Sequence, residues 1–171
     1  NPIAYQGAIP VFIDSECETW NMDPALLKAA LEEAKQNGKL PKAIIPVHLY
    51  GMPAKMNEII SIANEYGVPV IEDAAEAFGS LDPLSQKPLG TIGDLGILSF
   101  SPNKVVTSGQ GGAVVTKSTL WNEKVRSLKD QGRLKRGTGG DDWHEKEGYN
   151  FKFTNLQAAV GLAQMLKLEE R

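Results

Sequence analysis

The sequence predicts an α/β fold in which a mostly parallel sheet is sandwiched by helices and one later strand runs antiparallel. Apolar runs at 42–49 and 68–73 flank a segment, 56–66, whose apolar residues recur at helical spacing. A strand, a helix and a strand joined by short loops form a βαβ unit, which implies parallel strands covered by helices. Two later apolar runs, 95–100 and 112–116, are joined by about a dozen residues without a helical pattern, which favours antiparallel pairing.

The first part of the chain supplies two further elements. Residues 8–14 form a short apolar run that ends at an aspartate, and this pattern predicts a strand. A helix is predicted over 23–38, because Asp23 can cap it, Pro24 suits its first turn and Gly38 can end it.

Capping residues mark two more helices in the second half of the chain. Ser118 begins a predicted helix that runs to about Asp130, and Thr154 with Gln157 forms a capping box at the start of another. Between them, residues 131–148 are glycine-rich and charged, which predicts a long surface loop.

Composition excludes several classes of protein. The chain has 171 residues, of which 42% are hydrophobic, enough for one folded core. A net charge of −3 gives no reason to expect nucleic-acid binding, and no apolar run approaches the ~20 residues of a membrane span. One cysteine and two histidines offer neither a disulfide nor a metal site. Because the sequence lacks an initiator Met and stops within a helical pattern, we expect a fragment of a longer protein.

Residues with chemical function gather at one predicted edge of the sheet. Ligands of open α/β sheets bind beyond the carboxyl ends of the strands. The strand over 68–73 ends at Asp73, and the strand over 95–100 delivers Ser99, with Lys104 shortly after it. Each residue alone has an ordinary explanation as a cap, a turn residue or a solvated lysine, so only their combination indicates a site.

The glycines that follow do not form a nucleotide-binding loop. Gly109, Gly111 and Gly112 lead into a strand rather than a helix, and they come after Lys104, whereas the lysine of a P-loop follows its glycines. They do not form a nucleophile elbow either. We expect them to serve close backbone approach and the reversal of the strand.

Three stretches carry a resemblance to a known family: EDAAEAFGS at 72–80, GDLGILSFSPNK at 93–104 and SGQGGAVVT at 108–116. They resemble the DegT/StrS family of sugar aminotransferases, fold-type-I enzymes that use pyridoxal 5′-phosphate (PLP). Similar segments at 1–14, 46–56 and 148–164 extend the resemblance over nearly the whole chain. It implies that residues 1–171 are part of a PLP-binding large domain, without the upstream phosphate-binding segment and the C-terminal small domain.

The resemblance assigns roles to three residues. Lys104 takes the position of the lysine that bonds covalently to PLP and, once substrate displaces it, moves a proton between Cα of the substrate and C4′ of the cofactor. Asp73 matches the aspartate that faces the pyridine nitrogen, where a carboxylate keeps that nitrogen protonated and strengthens the electron sink. Ser99 matches the hydroxyl that contacts the PLP phosphate.

Four further residues are candidates. Asn150 resembles the asparagine that reaches the cofactor phosphate of a neighbouring subunit, which implies a homodimer with shared active sites; alternatively it satisfies its own loop. Glu76 lies one helical turn after Asp73 and either binds near the cofactor ring oxygen or substrate amine, or forms a cap or salt bridge. Arg133 and Arg136 suit a nucleotide diphosphate, although a solvated loop explains them equally well.

The expected function follows from this resemblance. It is a cytoplasmic PLP-dependent aminotransferase that moves an amino group from L-glutamate to a nucleotide-linked keto-sugar, of the 4-keto-6-deoxy type. The alternatives are a non-catalytic regulatory or scaffold member of the same fold, and a PLP-dependent sugar dehydratase, which a histidine in place of Lys104 would indicate. His48 is expected to pack under the edge of the sheet rather than to act in catalysis.

Overall fold

The computed structural model describes residues 1–133, 144 and 146–170 and confirms the α/β fold class. The helices and strands, in chain order, are α1 (Pro2–Tyr5), α2 (Pro24–Gln36), α3 (Met56–Tyr66), β1 (Ile71–Asp73), β2 (Leu95–Ser99), β3 (Gly112–Val115), α4 (Thr119–Lys129) and α5 (Asn155–Met165). Short 3₁₀ turns lie at Leu49–Gly51 and Leu168–Glu170. In the sheet, β1 pairs with β2 in parallel and β2 with β3 antiparallel, as the sequence predicts.

The helix ends follow the capping residues. The Asp23 carboxylate accepts hydrogen bonds from the first backbone N–H groups of α2, and Ser118 does the same for α4. Thr154 and Gln157 form the predicted capping box of α5, and Gly67 ends α3 in the left-handed conformation. None of the described helices, of which α2 with 13 residues is the longest, is long and apolar enough to cross a bilayer.

The predicted strand over 8–14 is wrong. Ile9, Val11 and Phe12 are 88%, 76% and 89% exposed, and no described strand pairs with this segment. An apolar run becomes a strand only where a neighbouring backbone takes up its hydrogen bonds. In the described part of the chain, residues 8–14 form no ladder with another strand, and Ile9, Val11 and Phe12 stay exposed, whereas Ile13 packs against the buried cluster of α2 and α3.

The predicted strand over 42–49 is extended but only partly paired. Ile44 lies opposite Val70 and Val47 opposite Asp73, both in parallel. The N–H groups of Ile44 and His48 donate to β1 and the residues before it, but Pro46 between them has no N–H to donate. The segment therefore joins the sheet beside β1 through two isolated bridges, with α3 as the connecting helix of the βαβ unit.

The two faces of the sheet have different surroundings. Residues of α2 and α3 pack with the extended segment and the approach to β1 in one buried cluster, whose members are Leu27, Leu31, Ile44, Ala54, Met56, Ile59, Ala63, Val68 and Val70. Side chains alternate along a strand, and Asp73 lies opposite Ile97 in the register. Asp73, Ile97 and Ser99 therefore project from the opposite face, which we call the Asp73 face and which is half-buried.

Most of the predicted surface loop over 131–148 lies outside the described residues. Those that the structure describes include Gln131, whose carbonyl oxygen lies 2.6 Å from Nδ1 of His144.

A loop at 89–93 lies directly on β2 because both carry glycine where they meet. A Cβ on Gly96 would overlap the backbone oxygen of Gly90, and a Cβ on Gly93 would come within 2.9 Å of the Val70 oxygen. This close approach places the backbone N–H groups of the loop near β1, where the carboxylate of Glu72 accepts hydrogen bonds from them.

We predict that Gly96→Ala lowers the free energy of unfolding by about 3 kcal/mol or more, because a backbone atom must move to admit the methyl group. Gly38→Ala is the control, since φ is +66° there but nothing lies within 4 Å of the added Cβ. That change should cost about 1 kcal/mol. Denaturant unfolding of the natural protein that carries this chain measures both, and equal losses would contradict the close approach.

Candidate active site

Lys104 lies against the turn that follows β1. Its Nζ is 3.3 Å from Oε1 of Glu76, and its side chain is only 15% exposed. The other oxygen of Glu76 accepts a hydrogen bond of 3.0 Å from the backbone N–H of Tyr50. The Tyr50 N–H, and after it Lys104, lower the pKa of Glu76, so this group is a carboxylate at neutral pH.

Glu76 reaches Lys104 by a route that differs from the expected one. The residues directly after β1 do not form a helix. Residues 74–79 instead form two consecutive turns, in which the Ala77 N–H donates to the Ala74 oxygen and the Ser80 N–H donates to the Ala77 oxygen. The expectation that Glu76 lies one helical turn after Asp73 is therefore wrong. These turns nevertheless bring its carboxylate to the lysine that follows the neighbouring strand.

Asp73 and Ser99 occupy the carboxyl ends of β1 and β2. Oδ1 of Asp73 accepts a hydrogen bond of 3.1 Å from the Ala75 N–H. The hydroxyl oxygens of Ser99 and Ser101 are 3.0 Å apart. Both side chains project from the Asp73 face. The segments that follow these two strands line a cleft, whose lining residues are Ala75, Glu76, Phe78, Asn103, Lys104 and Val105. The fold thus brings Lys104, Glu76, Asp73 and Ser99 to one edge of the sheet.

His48 is completely buried beneath this edge, as the sequence analysis expects. Its Nδ1 accepts a hydrogen bond of 3.1 Å from the Ala54 N–H, so the proton of the neutral ring lies on Nε2. Nε2 is 3.1 Å from Oε2 of Glu72 and donates to it. His48 therefore joins the turn after the extended segment to β1 and does not face the cleft.

Glu72 is a residue whose role sequence reasoning missed. Its buried carboxylate accepts hydrogen bonds from His48 and from the backbone N–H groups of Gly90, Ile92 and Gly93, at 2.6–2.9 Å for the backbone donors. Burial raises the pKa of Glu72, but these four donors outweigh it and hold the pKa below the usual range. The only sequence signal is strand alternation, which places Glu72 on the face opposite Asp73.

Asn150 is exposed and lies in a segment that runs beside the end of α4. It forms an antiparallel bridge with Asp130. Three residues later, the ring of Phe153 lies 6.0 Å from that of Phe100, which lies 6.1 Å from Phe78 in the turn after β1. Among the described residues Asn150 makes no hydrogen bond to the site residues of its own chain.

Arg133 takes part in a small ionic cluster. Its Nη1 lies 3.4 Å from Oδ1 of Asp130, and Nζ of Lys152 lies 3.0 Å from the same oxygen. Lys152 is the main cause that lowers the pKa of Asp130, and Arg133 adds to it. Arg136, the other candidate for a nucleotide diphosphate, lies outside the described residues.

The whole chain, residues 1–171, matches the model of the DegT/DnrJ/EryC1/StrS aminotransferase family. The chain belongs to this family.

Two curated members of the family show the extent of the match. A "Putative pyridoxal phosphate-dependent aminotransferase EpsN" of Bacillus subtilis is 50% identical over 171 residues, which are 100% of this chain and 43% of that protein. A GDP-perosamine synthase of Escherichia coli O157:H7 is 41% identical over 170 residues, 99% of this chain and 44% of that protein. The chain thus spans less than half the length of these relatives.

Solved structures of the family share this fold. A DegT DnrJ EryC1 StrS aminotransferase from Brucella abortus has a TM-score of 0.88 and 35% identity, over 98% of this chain and 44% of that one. Helicobacter pylori PseC, an aminotransferase involved in the biosynthesis of pseudoaminic acid, has a TM-score of 0.86 and 26% identity, over 98% and 43%.

The donor set at the sheet edge fits PLP. The cofactor carries an aldehyde, a pyridine nitrogen and a phosphate, and the edge offers an amine, a carboxylate and a hydroxyl. Lys104 supplies a sheltered amine at the cleft, while Asp73 and Ser99 share one face of neighbouring parallel strands. The amine, the carboxylate and the hydroxyl are thus the types of group that could bind the aldehyde, the pyridine nitrogen and the phosphate, respectively.

We predict that Glu72→Gln lowers the free energy of unfolding by about 2 kcal/mol or more, since an amide cannot accept from four donors. Because the folded pKa of Glu72 is lowered, its carboxylate stabilises the fold above the unfolded pKa and loses this effect as pH falls through the folded pKa. The wild-type protein should therefore lose stability in acid more steeply than Glu72→Gln.

Thermal unfolding of the natural protein between pH 3 and 7 measures this difference. Glu33→Gln, which removes the same charge from an exposed position of α2, is the matched control. Parallel pH profiles for wild type and Glu72→Gln would count against the role of Glu72.

Proposed function

We propose that this chain carries the cofactor-binding part of a PLP-dependent aminotransferase that transfers an amino group from L-glutamate to a nucleotide-linked keto-sugar. The observation that carries the proposal is the convergence of Lys104, Glu76, Asp73 and Ser99 at the carboxyl edge of the parallel strands. Family membership and the names of the relatives support it.

Each side chain has a defined task in this reaction. When bound, PLP supplies an electron sink at which the amine-bearing carbon of the substrate becomes acidic. Lys104 would hold the cofactor through its amine and, once released, would carry a proton between that carbon and the aldehyde carbon of the cofactor. Asp73 keeps the pyridine nitrogen protonated, and the Ser99 hydroxyl donates a hydrogen bond to the phosphate.

Glu76 positions the amine of Lys104. Its carboxylate is fixed from behind by the Tyr50 N–H, so the lysine is held by a group that does not itself move freely. Once Lys104 is engaged with the cofactor, the same carboxylate is placed to accept from a protonated group near the cofactor ring or the incoming amine.

Asn150 belongs to a neighbouring site in this proposal. Its exposed position, without a hydrogen bond to the described site residues of its own chain, suits a side chain that reaches the cofactor phosphate of a second subunit. The functional unit is then a homodimer with shared active sites.

A keto-sugar of the 4-keto-6-deoxy type is the proposed acceptor. Three relatives, 37–41% identical, are named GDP-perosamine synthase. A relative from Acidithiobacillus ferrooxidans, 36% identical, is named UDP-N-acetyl-3-dehydro-alpha-D-glucosamine 3-aminotransferase. These names support nucleotide-linked sugars as the substrate class, and the 4-keto-6-deoxy type is our proposal within that class. Lysine at position 104 argues for amino transfer over dehydration.

We predict that PLP added to the natural protein gives a visible absorbance band and that borohydride reduction leaves a phosphopyridoxyl group on Lys104, found by peptide mass spectrometry. Lys104→Ala should lose both the band and the label, because no other lysine sits at the cleft among its described lining residues. Lys87→Ala, at an exposed loop position, should keep both. Folded wild-type protein with neither signal would refute the proposed cofactor chemistry.

We predict that Arg133→Ala with Arg136→Ala raises the KM for the nucleotide sugar about tenfold or more, since each guanidinium donates charged hydrogen bonds to phosphate. The KM for glutamate should not change. Arg126→Ala is the control, because Arg126 lies exposed on α4 and bonds only Asn122 among the described residues. A sugar KM equal to that of wild type would remove both arginines from the substrate site.

A further inference from the structure

Tyr50 presents an aromatic ring to solvent from a strained turn. Its side chain is 87% exposed, and its backbone is left-handed, with φ of +52°. This conformation is costly for a bulky residue, by about 1–3 kcal/mol, and Gly or Asn would adopt it at lower cost. In the described part of the chain, the turn thus presents a bulky ring to solvent at a position where a smaller residue would cost less.

The turn around Tyr50 is fixed by side chains from other segments. The buried Asn21 accepts a hydrogen bond of 2.9 Å from the Leu49 N–H and donates one of 2.9 Å to the Met52 oxygen. Glu76 accepts from the Tyr50 N–H itself. All three contacts are made to backbone atoms, so the turn holds its shape without the help of the Tyr50 ring.

The turn that carries Tyr50 lies next to Lys104, because both contact the carboxylate of Glu76. Glu76 binds the Tyr50 N–H through one oxygen and the Lys104 amine through the other. The carbon that reacts must come to Lys104, so the sugar ring is the part of a nucleotide sugar that lies nearest this turn. The base is farther away, beyond the diphosphate.

We propose that the ring of Tyr50 is a specificity-determining contact for the sugar ring of the substrate. A pyranose has an apolar face of C–H groups, and the negative face of an aromatic ring attracts them. The rigid turn holds the ring ready, so that binding costs little ordering. This inference rests on the proposed function, because it takes the nucleotide-linked sugar as substrate.

The test compares Tyr50→Asn with Tyr50→Phe in the natural protein loaded with PLP. Asn removes the ring but suits the left-handed backbone, so the melting temperature should stay equal or rise. Phe keeps the ring. Amino transfer is assayed in reverse, from GDP-perosamine or a UDP-linked 3-amino sugar to 2-oxoglutarate, and the half-reaction with glutamate is measured separately.

We expect Tyr50→Asn to raise the KM for the amino sugar about tenfold, as the loss of one stacked ring implies. Tyr50→Phe should stay within about twofold of wild type, and the glutamate half-reaction should be the same in all three proteins. Tyr5→Asn, which removes a tyrosine ring that is also exposed, is the matched control and should leave both reactions unchanged.

Two results would overturn the inference alone. One is a sugar KM that stays within twofold of wild type in Tyr50→Asn. The other is an equal loss in the glutamate half-reaction, which would mean that the turn acts through Glu76 and not through the ring. A wild-type protein that turns over neither amino sugar would overturn both the inference and the proposed substrate, while the borohydride label on Lys104 separately reports the cofactor chemistry.

Discussion

The buried carboxylate of Glu72 is the interaction on which the candidate site depends. It accepts hydrogen bonds from the ring of His48 and from three backbone N–H groups of the loop at 89–93. A buried charge is tolerated only when its hydrogen-bonding capacity is filled, and here the fold supplies four donors. The same strand carries Asp73 on its opposite face. The carboxylate that secures the sheet edge and the side chain that we propose for the cofactor are therefore neighbours in sequence on opposite faces of one strand.

Glu76 links three segments of the candidate site, in the way that Glu72 links His48, β1 and the loop at 89–93. It stands in the turns after β1, and it touches a lysine 28 residues later and a backbone group 26 residues earlier. The three segments that meet there each leave a strand-like segment at its carboxyl end. Parallel strands bring such ends together regardless of how far apart they lie in the chain, which is why this edge serves ligands in so many α/β folds.

Local signals in the sequence predict the parts of the structure that local physics decides. The caps at Asp23, Ser118 and Thr154 involve residues two or three positions apart, so they can be recognised without the fold. The strand over 8–14 could not be judged this way, because strands depend on partners elsewhere in the chain.

The site residues show the same limit. Glu72 and Asp73 have the same chemistry in sequence, and only strand alternation with its packing separates their roles. The left-handed turn at Tyr50 is held by Asn21, through Leu49 and Met52, and by Glu76, and sequence spacing does not reveal these contacts.

The row of rings formed by Phe78, Phe100 and Phe153 has a consequence for how the sequence can change. The row joins the turn that carries Glu76, the end of β2 and the segment that carries Asn150. Gly111 completes it, because a Cβ there would run into the ring of Phe153. A side chain at position 111 would therefore require the ring at position 153 to move or to become smaller, so these two positions constrain each other.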